Sequence, residues 1–446
     1  GNHIYAPAPA LGAAHCDCAR GLGPSIAARG AACRLKRRRQ HASAASASAE
    51  ARARDATRWA PAAMPRAAKD RFGRRDLKEV TDAALPIENL DLTAVRREYI
   101  VAPPAFLRRA LLSIMADEQD LPIVYLMLNI IFSVLPSAAL LYLLPNKPDS
   151  WLKFGVGCAH LALVFGVFLQ RFVLMLHFSE HRPVWTGPTP LGAKILNNFN
   201  PVVLAPFFGM PSGMYYLHHV VMHHIENNVF PHDVSSTMPY QRDNFLHFLH
   251  YWACFVTAAW IQLPYYAFFR GRYALCVGAL SCSAAFIWLT TTLWAIDSTA
   301  TAFVFLVPFI VCSFALMFGN WSQHIFIDPE RPFSNYGLTY NCMNTPENQL
   351  TFNDGYHINH HIHSRLHWTK LASNFCDKLG KFAAEDAFLF NGLGFFDVGL
   401  YVMTGQLRKL AKHYVSYGQV DRTEDEIVEE FKRRLVPIPI EDEDSS

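Results

Sequence analysis

"PIVYLMLNIIFSVLPSAALLYLL", residues 122–144, is an apolar run close to the roughly 20 residues a helix needs to cross a hydrocarbon core. Four more windows of this kind follow, at about 152–176, 248–269, 273–294 and 301–319. The whole chain agrees with them: 51% of its 446 residues are hydrophobic and 13% aromatic, and 17% are charged, against about 25% charged in ordinary globular proteins. The fold class read from this is an all-α integral membrane protein. A sixth apolar stretch, "NPVVLAPFFGMPSGMYYL" (200–217), is broken by Pro201, Pro206, Pro211, Gly209 and Gly213. It cannot be one straight spanning helix.

The formal charge of +3 hides an asymmetry. Of 40 Lys/Arg and 37 Asp/Glu, residues 1–63 hold ten and three, leaving 30 against 34 in the rest. This Ala-, Arg- and Ser-rich segment has no apolar core of a secretory signal and reads as disordered. It is either an organellar transit peptide or translated sequence upstream of Met64. Its "RLKRRR" stands alone, with no nucleic-acid-binding fold beside it, so no nucleic-acid partner is expected. Residues 64–120 are polar and end in "FLRRALLSIMADEQD" (106–120), expected to be an interfacial helix. The membrane domain is read over 121–380. Residues 381–446 are read as an amphipathic, acidic, solvated tail. The ten cysteines are scattered, with no pair of CxxC motifs to hold zinc or iron.

Histidine carries the chemistry. Twelve of the 20 histidines fall within 177–224 and 324–367. "HFSEH" sets His177 and His181 at i, i+4 on one helix face. With a helix start near Leu152, His177 lies roughly 38 Å along it, just past a core about 30 Å thick. "HHVVMHHIENN" (218–228) supplies His219 and His223 on one face and His224 turned about 100° away. "NWSQH" gives Asn320 and His324 directly after the fifth window, and "HINHH" gives His357, His360 and His361. These are nine imidazoles, with Asn320 a tenth ligand through water. A single zinc needs four at most, so number and pairing favour two metals. Ligand type alone does not choose between iron, zinc and copper.

In these residues the chain resembles the membrane fatty-acid desaturase and hydroxylase superfamily. "HFSEH" is similar to its HxxxH box, "HINHH" to its HxxHH box, and "NWSQH" to an NxxxH element of stearoyl-CoA desaturases and alkane monooxygenases. The second box departs from the commonest form: it reads HxxxHH from His219, a spacing similar to that of alkane monooxygenases. The resemblance implies a di-iron, O2-dependent oxidoreductase acting on a lipid hydrocarbon chain, with a fatty-acyl desaturase favoured over an alkyl hydroxylase. The reading from another class is a non-enzymatic membrane zinc protein, although transporters set their ligands at the bilayer midplane and these boxes follow the ends of apolar windows. Glu180, Glu226, Asp354, His218 and His363 are candidates to orient the ligand rings from outside, with Asn227, Asp233 and His367 beside them. Trp185, Trp321 and Trp368 are read as membrane-interface anchors.

No HPGG haem motif, flavin fingerprint or rubredoxin cysteine set occurs in the sequence, so a separate electron donor is expected. That donor is ferredoxin in a plastid membrane if residues 1–63 are a transit peptide, and cytochrome b5 in the endoplasmic reticulum if translation starts at Met64. Requiring all four histidine groups on one side of the membrane leaves about four spanning helices, as two hairpins. A cytosolic or stromal helical cap then holds the boxes, and window 248–269, with His250, Gln262 and Pro264, lies at the interface.

Overall fold

The computed structural model describes residues 83–93, 101–147, 150–418 and 421–439. The expectations for residues 1–63, for 64–82 and for the last acidic residues lie outside the described residues. Four described helices are long and apolar enough to cross a membrane: α2 (Glu118–Leu143), α3 (Trp151–His181), α6 (Tyr273–Ile296) and α7 (Ser298–Gln323). The remaining elements used below are α1 (Ala105–Leu112), α4 (214–226), α5 (Phe245–Phe269), α8 (His357–Ile362), α9 (Phe395–Met403) and α10 (Glu424–Arg433). A two-stranded parallel ribbon, β1 (Tyr340–Met343) and β2 (Phe388–Asn391), pairs Tyr340 with Phe388.

The expected interfacial helix over 106–120 is shorter. It stops at Leu112, and the Asp117 side chain instead accepts from the Gln119 N–H to start a separate turn into α2. Short acidic side chains favour such caps over helix interiors.

The spanning helices form two hairpins whose turns meet at one end. Lys153, at the start of α3, donates to Asp297 in the α6–α7 turn and to the Leu144 carbonyl (3.3 Å) that closes α2. Both charged groups are buried, and a buried charge left without its partner is costly. The helices touch closely here: a Cβ on Gly157 would lie 2.5 Å from the Phe303 ring. His177 lies 24 residues beyond Lys153 along α3, about 36 Å at 1.5 Å per residue.

At that opposite end both termini of α5 touch the histidine-bearing elements. Trp321 Nε1 donates to the Arg242 carbonyl just before α5 (3.1 Å). Past its last turn, Arg270 pairs with Glu226 of α4. Both ends of α5 thus lie against the elements that carry the histidines, the placement that the reading of 248–269 as non-crossing requires.

The C-terminal part is not a solvated tail. β2 completes the ribbon, α9 packs along α7, and a Thr423–Glu426 capping box starts α10. The sequence shows the acidic face of α10, but its apolar stripe is what docks: Phe431 stacks on Phe326 with ring centroids 5.0 Å apart. The three tryptophans are likewise core residues. Trp321 is fully buried, Trp368 donates to Asp120 (3.0 Å), and Trp185 is buried beside α1 and α2.

Under α10, Glu430 accepts from Arg433 and Arg434. Burial pushes its carboxyl up, but the hydrogen bond from Arg433 and the two guanidinium charges outweigh this and hold it at about 2. The unfolded carboxyl titrates near 4.3, so the pair's contribution is complete above that pH and is lost as pH falls toward 2. The thermal midpoint of wild type should therefore exceed that of Glu430→Gln by a constant margin above pH 5, and the margin should close toward pH 2. For topology, single cysteines replacing Arg272 and Ser298 should label from opposite sides of the membrane. A third cysteine replacing Asp243, just before α5, should label from the same side as that at Arg272, and labelling of these two from opposite sides would mean that α5 crosses.

Candidate metal centre

The box residues reach one place from four elements. α3 delivers His177 and His181 from its last turn, where i, i+4 spacing puts both rings on one face. α4 departs from the sequence expectation. Residues Leu217–His223 wind as a π-helix, and the His224 N–H bonds the His219 carbonyl, an i to i+5 step. The wider turn aligns His219 with His224, whose Nε2 atoms lie 3.1 Å apart, and sends His223 to the other side. The pairing of His219 with His223 expected from α-helical spacing is thereby replaced. α8 delivers His360 and His361 to different sides, and His324 follows the last residue of α7.

Two groups result. His177, His181, His219, His224 and His360 bring ring nitrogens within 4.8 Å of one another, and so do His223, His324 and His361. His357 adjoins the second group, with its Nε2 3.2 Å from that of His361. In the first group Nε2 of His360 lies 2.6 Å from that of His177 and 2.9 Å from that of His224.

The outer ring nitrogens are held from behind. His223 Nδ1 donates to Asp233 (2.6 Å), His324 Nδ1 to the Leu338 carbonyl (3.0 Å) and His361 Nδ1 to Asn227 Oδ1 (3.1 Å). Asp354 Oδ1 lies 3.2 Å from His177 Nδ1. A proton fixed on Nδ1 leaves the Nε2 lone pair free and aimed inward. Asn227 closes α4 at φ 53°, the left-handed conformation that asparagine tolerates, and this turn brings its side chain to His361.

Electrostatics favour the neutral form of six of the rings. Burial first, and then the neighbouring imidazoles, push His219, His224, His357, His360 and His361 well below the ordinary histidine range. Burial takes His324 down to about 3. Burial would raise the Asp233 carboxyl, but the close His223 ring with its hydrogen bond, and the hydrogen bond from Ser235, hold it well below the usual carboxylate range.

Neutral imidazoles crowded at hydrogen-bond distance have more lone pairs than protons to share. The buried Nε2 atoms of His181 and His324 have no hydrogen-bond partner among the described residues. A cation at each group would answer both facts, so the donor set fits two metal ions of the borderline kind that imidazole binds.

Other candidates lie elsewhere. Asn320 belongs to neither group, since its amide donates to Tyr251 (2.7 Å) and to the Ser235 carbonyl (3.2 Å). Glu226 is taken up by Arg270 and Tyr266. His363 is exposed, with Lys378 at 2.8 Å, and His367 faces Asp120. Glu180 is part-buried with Oε1 unpartnered, outside both groups. His218 bonds Ser235 (2.8 Å). Sequence reading missed Tyr215, whose ring stacks on His219 at 5.3 Å, and Gln323, whose amide donates to Asp354 (2.8 Å) and approaches His357. Gln323 was visible as the neighbour of His324 in "NWSQH"; Tyr215 offered no signal.

Beside the groups is an apolar cavity of about 60 Å³ between α4, α5 and α7, lined among others by Met214, Tyr215, His218, Phe255, Trp260 and Phe309. By the measure in which one water needs about 10–15 Å³, it has room for several.

The family described as Fatty acid desaturase matches the chain over residues 150–387, a range that contains every histidine of both groups. Comparison with curated proteins and with solved structures finds no match.

Removing an outer partner should loosen the centre without removing a donor. Asp233→Asn is expected to weaken metal retention by about 10- to 100-fold. His361→Ala should lose metal outright, and His413→Ala, whose ring bonds the Asn391 carbonyl, should retain it. Elemental analysis of the purified variants measures this.

Proposed function

The chain belongs to the fatty acid desaturase family, and from that premise we propose that it is an O2-dependent di-iron oxidoreductase acting on the hydrocarbon chain of a lipid, with fatty-acyl desaturation as its reaction. The observation that carries this reading is the convergence of nine imidazoles, six buried and three part-buried, as a group of five and a group of three with His357 adjoining, at one end of four apolar helices. His177, His181, His219, His224 and His360 are the proposed ligands of one iron. His223, His324, His361 and His357 are those of the other. When bound, the irons supply the activation of O2 that hydrogen removal from an unactivated C–H bond requires.

The protein's part is to hold, orient and dry the site. Asp233, Asn227, the Leu338 carbonyl and Asp354 fix ring orientation. Burial of His177, His219, His223, His324, His357 and His360 excludes bulk water. The apolar cavity bounded by Tyr215 receives the chain next to His219. Electrons are delivered by a separate donor, cytochrome b5 or ferredoxin according to the membrane in which the protein resides. The HxxxHH spacing of the second box supports hydroxylation as a second reading.

Expression in a host lacking its own desaturases tests both. A new double bond in the host lipids, with about two irons per purified chain, is the expected result. A new hydroxyl group selects the second reading. Zinc alone with unchanged lipids overturns both.

A further inference from the structure

Two short helices at the histidine end leave an outer face uncovered. α1 and the helix Pro190–Asn197 have eight residues each, and none of them is buried. Their outer faces repeat one pattern at i, i+3, i+4, positions that are neighbours on a helix surface. Phe106, Arg109 and Ala110 form it on the first, Leu191, Lys194 and Ile195 on the second, and all six are exposed. Phe106 and Leu191 are each 68% exposed and Ile195 59%, although Leu111, Leu112 and Leu196 of the same helices pack against the core. Arg108 is exposed beside Arg109. The two helices are tied together through their backbones. The Ile114 carbonyl, just past α1, accepts from the N–H groups of Thr186 (2.9 Å) and Gly187 (3.0 Å), and the Ala116 N–H donates to the Val184 carbonyl (2.9 Å). Asn197 closes the second helix back onto this loop, accepting from the Val184 and Trp185 N–H groups (2.9 and 3.0 Å) and donating to the Trp185 carbonyl (2.8 Å). The loop starts directly after His181, the last residue of α3. That residue stands about 42 Å from Lys153 at 1.5 Å per residue, beyond a hydrocarbon core about 30 Å thick.

Apolar side chains uncovered at the edge of the bilayer, each helix also carrying exposed cations, suit an element that lies in the membrane interface. The charges decide which lipid it meets. Arg108, Arg109 and Lys194 have no carboxylate partner among the described residues. In the turn that follows α1, Asp117 faces Arg182 (3.8 Å), Asp120 accepts from Trp368 (3.0 Å), and Glu118 stays exposed. We propose that α1 and Pro190–Asn197 together bind anionic phospholipid in the leaflet on the histidine side. Phe106, Leu191 and Ile195 enter the acyl boundary, and Arg108, Arg109 and Lys194 pair with the headgroups. A zwitterionic headgroup offers the same phosphate but brings its own cation, so protein cations without internal partners favour the lipid with net negative charge. Each such cation near a surface contributes about fivefold in binding. The proposal is independent of the reaction performed at the histidine centre.

The test titrates the purified full-length protein, in a neutral detergent, with phosphatidylglycerol and with phosphatidylcholine, each labelled by a fluorophore on an acyl chain. Phosphatidylglycerol should bind about tenfold or more tightly, and the preference should shrink as salt is raised. Arg109→Gln and Lys194→Gln should each cut the preference by up to about fivefold, and the combined change with Arg108→Gln should abolish it. Unaltered phosphatidylcholine binding by these variants shows that they remain folded. Lys412→Gln, which removes an exposed cation of the C-terminal part, should leave the preference intact. Glycerol 3-phosphate should not displace the lipid, because it lacks the acyl chains that Phe106, Leu191 and Ile195 contact. Equal binding of the two lipids overturns the proposal, as does a preference that survives the triple change. Displacement by glycerol 3-phosphate overturns it in favour of a site for free phosphate esters. Equal lipid binding together with slower reduction of the triple variant by cytochrome b5 or ferredoxin would assign the cations to an acidic protein instead, and the proposal would fail.

Discussion

Nine imidazoles pressed together in a largely buried space set the terms for the rest of this structure. Lone pairs 2.6–3.2 Å apart repel unless a proton or a cation lies between them. Holding four chain segments in that arrangement therefore needs a rigid frame. The frame has two levels. At one end the Lys153–Asp297 pair ties the hairpin turns and sets the relative height of α3 and α7. About 36 Å away at 1.5 Å per residue, those same two helices deliver His177, His181 and His324. Locking the helices at one end is what lets their other ends agree.

Around the rings, the constraint is met by polar groups of the loops. Asp233, Asn227 and the Leu338 carbonyl each engage an Nδ1. The Gln323 amide donates to Asp354 and its nitrogen lies 3.3 Å from His357 Nδ1, so one side chain sits between two boxes. The π-helical turn in α4 belongs to the same solution. An α-helix would present His219 and His223 together, whereas one widened turn divides the consecutive pair His223 and His224 between the two groups.

Much of this was legible in the sequence and some of it was not, for physical reasons. The spans were readable because hydropathy over about 20 residues is a strong local signal, and all nine histidines were found because their spacing is local too. The expectation that α5 does not cross came from counting sides. What failed was whatever depended on winding or tertiary contact. A π-turn has no simple composition mark, so the pairing within the second box was misread. Asp233 and Ser235 lie in a loop whose path only the fold defines. The tryptophans and α10 were assigned to surfaces because amphipathic residues are as compatible with a membrane interface or water as with a polar-lined core. Residues 388–391 look like any short apolar run until β1 is found beside them.

The position of α10 then has a cause beyond its own burial. Arg242 is fully buried, and burial lowers its guanidinium to about 9, yet every hydrogen bond it makes goes to a carbonyl. Its Nε donates to Ile325 (2.9 Å), one terminal nitrogen to Thr237 (3.2 Å), and the other to Arg434 (2.9 Å). Ile325 follows His324, Arg434 caps α10, and Thr237 returns a hydroxyl hydrogen bond to the His324 carbonyl (2.8 Å). One cation thus joins the C-terminal helix, the loop carrying Asp233 and the backbone of a box histidine. Without α10 the guanidinium would lose the carbonyls of Arg434 and Val436 and stay buried with donors unmet, which is costly for a charged group. The least costly relief is movement of 237–242, which continues directly from Asp233 and Ser235, the partners of His223 and His218. A helix whose sequence shows only charge and amphipathicity therefore bears on ring orientation at the histidine centre, through a chain of buried hydrogen bonds that each have a single geometry in which they are satisfied.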